Sequence, residues 1–210
     1  MIDHFDILSI KADRSENPLQ LYWACAKSPV ELHVFVHFPE WKDFVVQLSL
    51  SCQVPLVVRN KFERAQYLYL LAWAYQDVIK AGELAALAAL ELALKDVYMN
   101  AYKEKNPEYK NPKKPIHAFM KQGLEYMVEH DGLVDGKLPI VQKYGGSVVS
   151  NLYRVRQNGQ VGKIDQTGTL VGIRNSLAHG DPFDAIPYGS LLEIVRDLID
   201  YMYRNFPEDP

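Results

Sequence analysis

At 210 residues and 48% hydrophobic content, the chain can bury a real core, as one domain with an appendage or as two small ones. A net charge of −3 excludes a general polyanion binder, so any contact with RNA has to come from a local patch. The two cysteines, Cys25 and Cys52, are too few for a disulfide framework and are not at zinc-ligand spacing.

Met1-Ile2-Asp3-His4-Phe5-Asp6 is acidic and lacks an apolar core, so no signal peptide is expected. The best apolar run is interrupted by Glu83, Glu91 and Lys95, so no membrane span is expected and a reducing cytoplasm is the expected location. Asp13 to Pro18 carries a loop signal. Leu19 to Ala26 and Val30 to Phe38 lie between prolines and are rich in aromatic and β-branched residues, which predicts two strands. Pro39 suits the first turn of a short helix. Val45 to Leu50 reads equally as helix or strand. Residues 1–60 are therefore expected to form an N-terminal extension, mixed or helical, that packs on the rest or meets a partner. Within it, His33 and His37 have no third ligand nearby in sequence, so packed or partner-facing histidines are expected rather than a metal site.

From Lys61 the pattern turns helical. Phe62, Ala65, Tyr69, Ala72 and Trp73 form a stripe to about Lys80, and Gly82 is expected to break it. The Ala- and Leu-rich stretch from Glu83 to about Lys103 predicts a second long helix, with Leu87, Leu90, Leu94 and Val97 on one face. The pair makes an αα-hairpin. Residues 103–121 follow as a basic, proline-punctuated connection. Lys110, Lys113 and Lys114, interleaved with Tyr102 and Tyr109, either follow a single-stranded nucleic acid or form a solvated loop. A helix ending at Asp131-Gly132 is expected next. A longer one then runs from Ile140 to about Arg156, with Arg154 and Arg156 adding charge near its end. Asn158 to Gly162 reads as a turn. Leu191, Val195, Leu198 and Met202 predict the last helix.

The chemistry concentrates at Arg174-Asn175-Ser176-Leu177-Ala178-His179-Gly180. Leu170, Ile173 and Leu177 recur at helical spacing, predicting a helix from about Asp165 to His179. Gly180 suits the left-handed position after a helix end, and Pro182 blocks continuation. His179 thus falls in the last turn, where the helix dipole favours a proton on its ring. Asn175 and His179 share a face, while Arg174 lies about 140° around the helix from His179. A guanidinium that grips phosphate oxygens, an amide and an imidazole that moves protons near neutral pH suit a phosphodiester without a metal.

These residues resemble the R-N-x-x-x-H form of the R-x(4–6)-H motif of the HEPN family, including its "LAHG" tail. The resemblance covers about the last two-thirds of the chain and is specific only at residues 174–180. It implies a mainly α fold, with a HEPN-like helical bundle over residues 61–206. It further implies a metal-independent endoribonuclease of the kind found in toxin–antitoxin or phage-defence systems, leaving 2′,3′-cyclic phosphate and 5′-hydroxyl ends. Arg174 and His179 would act on the phosphate, Asn175 would orient one of them, and a homodimer would complete the site. An RNA substrate is implied, together with an antitoxin or other protein partner. Glu91 in "LELALKDVY" either matches a polar residue that accompanies the motif in that family or is a surface carboxylate paired with Lys95. The alternative is a dimeric module that binds nucleotide, RNA or protein without cutting. No cofactor is expected, since the sequence carries no Walker-A, G-x-S-x-G or dinucleotide fingerprint.

Overall fold

A computed structural model describes residues 13–23, 31–110, 119–153, 169–180 and 189–207. Two short strands, β1 (Leu19–Trp23) and β2 (Glu31–Phe35), pair antiparallel with Leu19 opposite Phe35 and Leu21 opposite His33. Alternation along a strand sends Leu19, Leu21 and Phe35 to one face, and all three are buried. Helix α1 (Phe38–Val46) follows with Pro39 in its first turn, where a missing N–H leaves no bond unmade. The Trp41 indole stands edge-on to Phe35 at 5.0 Å and donates from Nε1 to the Tyr69 carbonyl at 2.8 Å. Through that contact the N-terminal segment shares one apolar core with the helices behind it.

Helix α2 (Leu56–Leu71) and helix α3 (Val78–Lys105) form the expected hairpin, but the break falls at residues 72–77 and not at Gly82. Gly82 lies inside α3. A Cβ there would come within 2.6 Å of the Tyr69 ring, so the glycine lets α3 pack directly against that ring of α2. Helix α3 has 28 residues, about 42 Å of rise, and packs against most of the other helices. Helix α4 (Met120–Glu129) crosses it with Gly123 set against Leu94. Gly132, at φ 71°, ends that segment as the sequence predicts.

Helix α5 (Pro139–Tyr144) is much shorter than the expected 140–156 helix. Gly145 and Gly146 both take positive φ (74° and 85°), and a 3-10 turn at Val149–Asn151 follows. The Asp135 carboxylate holds that turn by accepting from the Val148 and Val149 amides at 2.7 and 2.9 Å. Helix α6 (Leu170–His179) starts five residues later than expected, because the Thr169 hydroxyl caps it by accepting from the Gly172 amide at 3.0 Å. Helix α7 (Leu191–Tyr203) buries Leu191, Val195, Leu198 and Met202, the face expected from periodicity. The fold is thus mainly α with a mixed N-terminal region. No helix among the described residues is long and apolar enough to cross a membrane.

His33 lies among aromatic rings, 5.6 Å from Tyr144 and 5.9 Å from Phe44, measured between centroids. His37 precedes α1, with its Nδ1 3.5 Å from an Asp13 carboxylate oxygen.

Candidate functional site

Helix α6 is short, and both of its ends are specified locally. Leu170 and Val171 are buried behind the Thr169 cap. At the other end Gly180 adopts the left-handed conformation (φ 71°, ψ 50°) and donates its N–H to the Ser176 carbonyl. A side chain at position 180 would be strained in that conformation, so the glycine makes His179 the last helical residue.

The helix turns its polar residues to two sides. Arg174 points toward α3, where its Nη2 donates to Glu91 Oε2 at 3.1 Å. The second oxygen of Glu91 takes Lys95 Nζ at 2.8 Å. Glu91 is only 8% exposed, yet Lys95 and Arg174 together hold its carboxyl below the usual carboxylate range, against the opposing effect of burial. One buried anion thus lies between two cations, one from its own helix and one from α6. Asn175 and His179 both lie on the exposed side, one turn apart. Arg174 spans the two sides, with a side chain 31% exposed and its Nη1 3.4 Å from the Asn175 amide oxygen.

Glu91 therefore fits neither expectation alone. It is not a surface carboxylate, and it pairs with Lys95 and Arg174 at once. A guanidinium tethered in this way keeps a narrower set of rotamers than a free one. The contact joins residues 83 positions apart in the chain. Its sequence signal is a charged residue within the Leu87, Leu90 and Leu94 stripe, since a carboxylate buried there needs a cationic partner.

The basic connection is separate from this pair. Lys110 is exposed and ends the 3-10 turn Pro107–Lys110, beyond the C-terminus of α3. From Glu91 to Lys105 the helix axis rises about 21 Å. Lys113, Lys114, Arg154 and Arg156 lie outside the described residues. Tyr109 and Tyr102 contact each other at 5.9 Å between centroids, and Tyr102 also stands edge-on to Phe119 at 5.4 Å, so both rings already have partners in the protein.

Chemically, one end of α6 supplies a cation for a phosphate, an amide and a single imidazole. Strand scission needs a base and an acid, so one copy of the helix end provides half of the proton-transfer groups. Comparison of the chain with family models, with curated proteins and with solved structures finds no match.

Proposed function

We propose that the chain is a metal-independent endoribonuclease whose site is built from two copies of the α6 end across a homodimer. The observation that carries this reading is the Arg174 guanidinium held against buried Glu91 beside an exposed Asn175–His179 pair. In the proposed reaction the 2′-hydroxyl oxygen attacks phosphorus and the bond from phosphorus to the 5′ oxygen breaks. One His179 takes the 2′ proton, and the His179 of the second copy delivers a proton to the leaving 5′ oxygen. Arg174 binds the non-bridging oxygens and offsets the charge that develops on them. The products are a 2′,3′-cyclic phosphate and a 5′-hydroxyl.

The runner-up is a dimeric module that binds nucleotide, RNA or a protein partner without cutting. It is favoured by the net charge of −3. The test is a defined RNA incubated with the protein in excess chelator, with end-group analysis of the products. Cleavage to cyclic-phosphate and 5′-hydroxyl ends is the expected result. Binding without cleavage, or cleavage abolished by the chelator, would replace this reading with the module or with a metal enzyme.

A further inference from the structure

Glu91 carries one cation on each oxygen. Lys95 Nζ lies 2.8 Å from Oε1, and Arg174 Nη2 lies 3.1 Å from Oε2. Lys95 stands on the same helix, four residues on, whereas Arg174 arrives from α6. The reaction proposed above gives Lys95 no part.

Asp131 shows what an arginine does when no lysine shares its carboxylate. Arg204 takes both oxygens there, with Nη2 2.7 Å from Oδ1 and Nη1 2.9 Å from Oδ2. The Tyr98 hydroxyl also donates to Oδ2, at 2.6 Å. It is neutral, and a carboxylate oxygen accepts more than one bond, so the arginine keeps its fork. An ammonium is different. On Oε1 of Glu91 it repels a guanidinium that reaches for the same oxygen.

Burial makes the division matter. Glu91 is largely shut off from water, so each oxygen needs a donor from the protein. Burial raises its carboxyl, and Lys95 does more than Arg174 to pull it back below the usual range. Without Lys95, Oε1 would lose its partner while Arg174 already touched the other oxygen. Arg174 has five N–H donors and could supply the missing bond by turning its second prong inward. The contact would then become a fork like that of Arg204.

We propose that Lys95 is a positioning residue for Arg174. By holding Oε1 it restricts the guanidinium to Oε2 and keeps the remaining donors available for a phosphate. The phosphate step rests on the endoribonuclease reading above, whereas the state of Arg174 in the empty protein does not.

The experiment compares the full chain with Lys95→Met, Lys95→Arg, Glu91→Gln and the double variant Lys95→Met/Glu91→Gln. Lys95 is partly exposed, so its substitutions should leave the fold intact, which a thermal melt checks. One readout is rotation of the Arg174 guanidinium in the empty protein, followed by nitrogen-15 NMR. The other is affinity for an RNA methylated at every 2′-hydroxyl, which lacks the attacking group. Lys95→Met should slow the rotation and weaken binding, each by about ten-fold, the equivalent of one charged hydrogen bond. Lys95→Arg should restore both, since it returns a cation to Oε1. In the Glu91→Gln background Lys95→Met should change neither by more than about two-fold, because no carboxylate is left to release. Rotation as fast in Lys95→Met as in the wild type would overturn the proposal. A binding loss that persists in the Glu91→Gln background would also overturn it, by making Lys95 a direct contact to RNA. Slowed rotation in a protein that binds no RNA would keep Lys95 in its role and remove the endoribonuclease reading instead.

Discussion

Arginine meets carboxylate in two very different ways in this bundle. At one end Arg204 forms a two-pronged contact with Asp131, at 2.7 and 2.9 Å, and lies 3.8 Å above the Tyr201 ring. It also donates to the Tyr201 carbonyl, while Asp131 accepts from the Tyr98 hydroxyl at 2.6 Å. Both partners are spent on the protein, and the contact locks the end of α4 to the end of α7. At the other place Arg174 touches Glu91 with one nitrogen at 3.1 Å, and the second oxygen of Glu91 goes to Lys95. The two contacts differ in how much of the guanidinium they use: Arg204 gives both terminal nitrogens to Asp131, whereas Arg174 gives one to Glu91 and stays partly exposed.

The comparison predicts unequal costs. Asp131→Asn should lose about 2–3 kcal/mol of stability at neutral pH, since it breaks a charge-assisted fork and a tyrosine bond together. Burial raises the Asp131 carboxyl, but Arg204 and Tyr98 outweigh it and hold it below the usual range. A depressed carboxylate stabilises the fold above its unfolded pKa of about 4, and loses that contribution as pH falls through the folded value. The gap between wild type and variant in urea denaturation should therefore close in acid. Glu91→Gln should cost less, about 1–2 kcal/mol, because both its cationic partners are partly exposed. Its gap should close in acid for the same reason, since the Glu91 carboxyl is also depressed. The variants separate in function: Asp131→Asn should leave RNA cleavage per folded molecule unchanged, and Glu91→Gln should reduce it by loosening Arg174. A Glu91→Gln variant as active as wild type would erase the distinction between the two contacts.

What could be read in advance follows from what periodicity records. The buried faces of α3 and α7 were legible because a 3.6-residue repeat of Leu, Val and Met states directly which side is covered. Gly82 and the Gly145–Gly146 pair were misjudged in opposite directions. A glycine in sequence does not say whether it ends a helix or lets another element approach, and only the Tyr69 ring decides it at Gly82. Residues 174–180 were visible as chemistry because they are contiguous. The tie to Glu91 spans 83 positions, and only its place in an apolar stripe hinted at it. Glu193 gave no such hint. It lies outside the Leu191, Val195, Leu198 and Met202 stripe, yet Glu193 and Asp197 are 5% and 2% exposed.

The central claim is that Arg174 and His179 work on a phosphodiester while Asp131 and Arg204 only hold the fold. Single-turnover cleavage of one labelled RNA in chelator tests it, comparing wild type, Arg174→Ala, His179→Ala and Asp131→Asn, each corrected for its folded fraction by melting. His179→Ala and Arg174→Ala should each lose about 100-fold or more in rate. The histidine variant should melt like wild type, and the arginine variant should give up only about 1 kcal/mol because Lys95 still pairs with Glu91. Asp131→Asn should melt lowest and cleave normally. Full activity in His179→Ala and Arg174→Ala, or loss in every variant in proportion to its stability, would contradict the account.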